Sequence, residues 1–271
     1  MNRIGLIAGG DNLPLMFCRA ARARGLSVVA VALTDFTSPL IEDEADEVHW
    51  VSLSELAKIG PLLSGAGASR AVMLGKVPQA EVFSGRSRDR ETQAALSSAA
   101  NMQTQAILQA GAAMLALSGV TLLDSRTHME EHLAQPGALT ARSPSAEERA
   151  DIEYGVSVAR QLGAADIGQT VVVKSRAVLA VEAIEGTDAC IRRGSSLCDG
   201  GAVVVKIAKP DQDMRFDVPV IGPATARVLA EGKAAAMAVQ CGATFVVERA
   251  ELASLADAAG VSIVAVEVTD E

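Results

Sequence analysis

Ile4-Gly5-Leu6-Ile7-Ala8-Gly9-Gly10 decides the fold class, because a short apolar run ends in two glycines. Beyond the break, residues 12–24 set Leu13, Phe17, Ala20 and Ala21 at helical spacing, and Gly25 closes the segment. The order strand, tight turn, helix then repeats. Strands are expected at 27–33, 48–52, 71–74 and 120–123, with helices at 53–63 and from about 102 to 117. This alternation predicts a Rossmann-like α/β domain over residues 1–141.

Composition agrees with that class. The chain has 271 residues, 49% of them hydrophobic and only 3% aromatic, so Ala, Val, Leu and Ile must fill its cores. The length suits about two domains of ordinary size. A net charge of −9 argues against a nucleic-acid partner, and the scarcity of aromatic residues against an all-β carbohydrate-binding module. Cys18, Cys190, Cys198 and Cys241 show no CxxC spacing and no companion histidines for zinc, which fits free thiols in a reducing compartment. No signal-peptide pattern precedes the first strand, so a cytoplasmic location is expected. Residues 92–123 carry no formal charge, but Gln93, Asn101, Gln103, Gln105 and Gln109 would bring amides into hydrocarbon, so a packed helix fits better than a membrane span.

Residues 124–145 lose periodicity and collect Pro136, Gly137, Ser143 and Pro144, as a linker would. Ser145 and Glu148 then have capping-box spacing ahead of a helix to about residue 162. Strands at 170–174 and 177–183 flank Ser175-Arg176 as a hairpin. Further strands are expected at 202–207, 244–247 and 261–266, with helices after Pro223 and at 249–259. The hairpin predicts a second α/β domain with a mixed sheet over residues 142–271.

Three features could carry chemistry. Gly9-Gly10, between strand and helix, would offer unpaired N–H groups and a positive helix end to a phosphate. Glu182, Glu185 and Asp188 crowd the end of one strand and call for a compensating cation. Lys206, Lys209, Gln212, Asp213, Arg215 and Asp217 mix cations suited to phosphate oxygens with carboxylates suited to magnesium, on a segment too polar and Pro-bounded to be core. Arg86, Arg88 and Arg90 lie on a flexible stretch that reads as a solvated loop.

In order along the chain, Gly5-Leu6-Ile7-Ala8-Gly9-Gly10, Gly75-Lys76-Val77, Asp166-Ile167-Gly168-Gln169, Glu185-Gly186-Thr187-Asp188, Arg192-Arg193-Gly194, Lys209-Pro210 and Arg215-Phe216-Asp217-Val218-Pro219 resemble the LpxI-type UDP-2,3-diacylglucosamine hydrolases of lipid A synthesis. The resemblance implies magnesium (Mg2+)-dependent hydrolysis of a pyrophosphate to UMP and 2,3-diacylglucosamine 1-phosphate, with attack on the phosphorus nearer the sugar. It carries the family's essential aspartate, in an Arg-x-Asp-Leu-Pro pattern, onto Asp217. Val220 departs from a threonine frequent after that proline, and residues 79–117 diverge from the family's pattern.

On this reading Asp217, Lys206 and Arg215 are catalytic. Gly9, Gly10, Asn12, Gly75, Lys76, Gln169, Thr187 and Lys209 bind the lipid-linked nucleotide sugar, and Asp217, Glu182 and Asp188 hold the metal. The acylated substrate implies transient contact with the inner-membrane surface, through an apolar helix at 102–117. A homodimer is the one assembly left open. The alternatives are a non-catalytic nucleotide-sugar or lipid-binding regulator of envelope synthesis, and a hydrolase of another nucleoside diphosphate sugar.

Overall fold

The computed structural model describes residues 2–77 and 104–268. The Arg86–Arg90 stretch and the opening of the charge-free segment lie outside the described residues. The chain forms two compact units. One contains the described residues up to Met129 together with Asp213–Asp217; the other holds Glu130–Gln212 and the residues from Val218 onward. The linker-like stretch contains the first crossing, and five residues of the later chain belong to the first unit.

In the first unit β1 (Arg3–Ala8), β2 (Ser27–Leu33), β3 (Glu47–Val51), β4 (Arg70–Leu74) and β5 (Thr121–Leu122) form a parallel sheet in the order β3-β2-β1-β4-β5. Helices α1 (Leu13–Ala23), α2 (Ile41–Glu44), α3 (Ile59–Gly65) and α4 (Thr104–Leu117) connect the strands. Both faces of the sheet are buried. Ile7, Val29, Val31 and Ala71 pack with Leu63 and Leu115, while the alternate residues Ile4, Leu6, Val28 and Ala30 are also sealed from solvent. Helix formation begins later than the expected residue 53. Ser52 accepts the Glu55 N–H and gives its hydroxyl to the Glu55 carboxylate, forming a turn ahead of a 3-10 segment at Leu56–Lys58.

The second unit holds a mixed sheet in the order β6-β13-β11-β9-β7-β8. Its strands are β6 (Gly137–Ala138), β7 (Thr170–Lys174), β8 (Ala177–Val181), β9 (Val203–Lys206), β11 (Ala236–Gln240) and β13 (Ser262–Val266). A separate pair joins β10 (Val220–Ile221) to β12 (Phe245–Val246). Strands β9, β11 and β13 run parallel, while β7 runs antiparallel to both its neighbours.

Strand alternation sorts this core into two layers. Val171, Val173, Val203, Val205, Ala236 and Ala238 meet α5 (Ala146–Ala164). Val172, Val204, Met237, Val239 and Ile263 pack with Ile191, Leu229 and Leu252 of α6 (Thr187–Ser195), α7 (Pro223–Glu231) and α8 (Arg249–Ala258).

The expected capping box opens α5: Ser145 accepts the Glu148 N–H, and the Glu148 carboxylate accepts the Ser145 N–H. Ser175 and Arg176 form the expected hairpin with φ of 52° and 57°, and Asp151 accepts both of their N–H groups. The sequence pattern does not predict central strand β11. Its Ala-Met-Ala-Val run has weak intrinsic strand preference and becomes a strand because β9 and β13 pair with both its sides.

Candidate active site

In the first unit the strand order reverses at β1, whose neighbours are β2 and β4. A parallel sheet opens a crevice at such a point, outside the carboxyl ends of its strands. Gly9 and Gly10 follow β1, and Gly75 and Lys76 follow β4. The two turns are joined directly: Gly10 N–H donates to the Lys76 carbonyl at 2.9 Å and Lys76 N–H to the Gly10 carbonyl at 3.0 Å.

A Cβ on Gly9 would lie 2.7 Å from the Gly75 carbonyl oxygen, and Gly75 itself has φ of 96°. Glycine is required there by close approach and by backbone conformation. The expectation of unpaired N–H groups on the glycines is corrected, because Gly9 N–H also donates, to Leu74. The glycines bring two strand ends together; they do not present free donors to an anion.

Asp11 and Asn12, both exposed, come next. Asn12 occupies the helix-capping position without a side-chain capping bond, and Asp11 supplies one instead, accepting the Leu13 N–H at 2.8 Å. Asp11 does so at φ of 69°, in the left-handed region. Protein packed beneath its exposed side raises its carboxyl above the ordinary value, against the Leu13 and Lys76 N–H groups and the Lys76 charge. Asp11 is not among the residues expected from sequence. Its place directly after a Gly-Gly pair was the available signal.

Asp213–Asp217 brings Arg215 and Asp217 to this unit. Ser125, buried just beyond β5, has its hydroxyl 2.6 Å from the Met73 carbonyl and 2.9 Å from the Arg215 carbonyl, its one proton shared between the two acceptors, and its N–H donates to the Met214 carbonyl. Phe216 packs against the first core and stacks under the Arg215 guanidinium at 5.0 Å.

On each side of Ser125 a carboxylate grips an arginine two residues later. Arg126 Nη2 lies 2.6 Å from Asp124 Oδ2, and Arg215 Nη2 lies 2.6 Å from Asp213 Oδ2, each pair closed by a second bond from Nε. The Arg215 hydrogen bonds hold the Asp213 carboxyl below the usual carboxylate range. Burial pushes Asp124 upward, but the Arg126 bonds and charge outweigh it and leave that carboxyl lowered. Asp217 follows this anchored turn and is exposed.

The second unit treats its candidates differently. Lys206 ends the buried strand β9 at 7% exposure, and its ammonium donates to the Val220 carbonyl at 2.9 Å. The reading of this position as too polar for the core is corrected: the lysine is a core residue whose ammonium donates to a backbone carbonyl. Lys209 pairs with Asp166 at 2.5 Å. Glu182 is also buried, at 6% exposure; Thr187 donates to its Oε1 at 3.1 Å, while its Oε2 is a buried oxygen without a hydrogen-bond partner.

Asp188 is half-buried in the first turn of α6, and Gly186, not Thr187 or Asp188, occupies the capping position. Gln169 likewise has a buried, unpartnered Oε1. Glu185 is spent on Arg193 at 2.6 Å.

Among the described residues no three His, Cys, Asp or Glu side chains converge on a point that could hold a metal ion. Magnesium does not need such a cage. It commonly takes one or two carboxylates and completes its shell with water and substrate phosphate oxygens. The exposed carboxylate of Asp217 meets that demand, so the donor set fits a magnesium ion bound together with a phosphate ligand.

The LpxI N-terminal domain model matches residues 3–132 and the LpxI C-terminal domain model residues 135–264. The UDP-2,3-diacylglucosamine pyrophosphatase LpxI of Caulobacter vibrioides is 32% identical over 98% of this chain and 98% of its own. The chain belongs to the LpxI family. The turns at Gly9-Gly10 and Gly75-Lys76 lie within the N-terminal match, whereas Arg215 and Asp217 lie within the C-terminal match yet pack with the first unit.

Solved structures give only distant likeness. A biotin carboxylase domain of a thermophilic 2-oxoglutarate carboxylase shares 13% identity at a TM-score of 0.29, covering 63% of this chain and 34% of that one. An N5-carboxyaminoimidazole synthetase from Staphylococcus aureus shares 13% at 0.23, covering 63% and 37%. The chain spans about a third of the length of these structures, and likeness at this level carries no argument about the site.

Proposed function

We propose that this LpxI-family chain hydrolyses the pyrophosphate bond of UDP-2,3-diacylglucosamine, giving UMP and 2,3-diacylglucosamine 1-phosphate for lipid A synthesis, in a magnesium-dependent reaction. The observation that carries the reading is 32% identity, over 98% of both chains, with a relative named for that pyrophosphatase activity. Geometry supports it, because Asp217 and Arg215 belong to the same compact unit as the parallel sheet whose carboxyl edge presents Lys76.

The diphosphate would lie across that edge. Lys76 and the carboxylate-held Arg215 offset its charge, and the exposed Asp217 orients a water molecule and takes one of its protons. The water oxygen forms a bond to one phosphorus, the bridging P–O bond breaks, and the departing phosphate keeps that electron pair. Magnesium, when bound by Asp217 and phosphate oxygens, supplies further charge neutralisation. Lys206 acts at a distance, by fixing the Val220 carbonyl three residues beyond Asp217.

Among the described residues no helix is long and apolar enough to cross a membrane. Helix α4 packs Leu115 into the first core and leaves Leu117 90% exposed. The exposed Leu117 supports a local apolar contact with the inner leaflet.

The test is incubation of purified protein with the acylated substrate and with its deacylated counterpart, each with magnesium or chelator, followed by detection of UMP. Magnesium-dependent UMP release from the acylated substrate is the expected result. Binding without UMP would leave a non-catalytic binder, and preference for the deacylated form another nucleoside diphosphate sugar.

A further inference from the structure

Beyond β5 the parallel ladder with β4 runs one step further, and there a side chain takes the place of the backbone. Thr121 N–H donates to the Ser69 carbonyl at 2.9 Å and Leu123 N–H to the Ala71 carbonyl at 2.8 Å. Two residues on, the donor that faces Met73 is not the Ser125 N–H but the Ser125 hydroxyl, 2.6 Å from that carbonyl. The displaced N–H reaches the Met214 carbonyl instead, at 2.9 Å, and the same hydroxyl lies 2.9 Å from the Arg215 carbonyl. Ser125 is 1% exposed, which leaves its polar atoms no water as a substitute.

Most residues could continue the ladder with their N–H. A residue with a short hydroxyl can continue it and also release its N–H to a second segment. Met214 and Arg215 lead directly to Asp217, in a turn closed by the Phe216 N–H on the Asp213 carbonyl. On the other side of the hydroxyl, β4 leads to Gly75 and Lys76. One buried oxygen therefore joins the strand that delivers Lys76 to the segment that delivers Asp217.

We infer that Ser125 is a positioning residue for hydrolysis, which touches no substrate and fixes the distance between the Asp217 carboxylate and a phosphate held at Lys76. This rests on the proposed reading of Asp217 as the group that orients the attacking water. A displaced cation still attracts a phosphate, because Coulomb attraction falls only gradually with distance. A carboxylate must stay within about 2.6–3.2 Å of the water it activates. Loosening the segment is therefore a loss in kcat more than in KM. In Ser125→Ala the N–H of residue 125 is free to return to the Met73 carbonyl, which regularises the ladder and leaves Met214 and Arg215 without either bond.

The experiment measures kcat and KM for UMP release by the wild type, Ser125→Ala and Ser125→Cys, a similar volume with a weak donor. Both substitutions are repeated in the Asp217→Asn background under single turnover, and amide exchange of the peptide covering 213–217 is followed throughout. Ser125→Ala should lose roughly 10-fold in kcat with KM within about 2-fold, and Ser125→Cys should fall between it and the wild type. Both should exchange faster at 213–217. In the Asp217→Asn background either change should cost less than about 2-fold, because a residue that acts through Asp217 has nothing left to position.

Equal losses in both backgrounds mark a merely structural role and overturn the inference. So does wild-type kcat in the Ser125 variants, whether or not the segment exchanges faster, and hydrolysis by the wild type then stands alone. A wild type that releases no UMP overturns the hydrolytic reading and the inference with it. If Ser125→Ala does not fold, Ser125→Cys carries the same comparison.

Discussion

The two units place the same kinds of side chain at their sheet ends and use them in opposite ways. In the first unit Asp11, Asp35 and Lys76, at the carboxyl edge of the sheet, and Asp217 all reach solvent. In the second unit Glu182 and Lys206 are sealed at 6% and 7% exposure on neighbouring parts of one sheet, with Lys206 held by a backbone carbonyl. A charged residue that reaches solvent can meet a substrate, whereas a buried lysine bonded to backbone mainly holds the fold. Chemistry is therefore expected to follow the first set and stability the second.

The sharpest way to break that contrast is to truncate one lysine from each set. Lys206→Ala removes the donor to the Val220 carbonyl and leaves a void, and should cost on the order of 2–3 kcal/mol in chemical denaturation. Lys76→Ala should leave stability within about 0.5 kcal/mol while lowering kcat/KM roughly 10-fold, the loss of one phosphate contact. The reverse pattern in the two variants would move the site to the second unit.

The next largest effect concerns the carboxylate grip on Arg215. Asp213→Asn frees the guanidinium to swing and should lower kcat/KM by several-fold to about 10-fold, with KM rising more than kcat falls. Because pairing holds the folded Asp213 carboxyl below its unfolded value, its stabilising contribution is complete above the unfolded pKa and is lost as pH falls through the folded one. Acid unfolding curves should show the wild type losing this contribution below the ordinary carboxylate range, and Asp213→Asn lacking that step.

The smallest expected signal lies in the thiols. Burial pushes Cys18 and Cys190 up to about 12, so neither should react with a thiol reagent at pH 8 in the native state. Cys198 is only half-buried and should react first. Rapid modification of Cys190 would mean that the second core opens readily.

The elements that could be read from sequence were those set by local pattern. β1 and its Gly-Gly break, the Ser145 capping box and the Ser175-Arg176 hairpin each follow from neighbouring residues alone. β11 depended on two flanking strands that no local window contains. The membership of Asp213–Asp217 depended on bonds from Ser125, far earlier in the chain. Within the site, residue types were legible but exposure was not: Lys206 and Lys76 look equally available as letters. Their difference arises from sheet position, since one ends a buried strand and the other follows an exposed turn.

The central claim is that turnover depends on the exposed carboxylate lent to the first unit, and its most direct measurement is UMP release by Asp217→Asn in the presence of magnesium. With an unchanged melting temperature, the variant should lose turnover by about 10²-fold or more. A rate within a few-fold of the wild type would contradict the account.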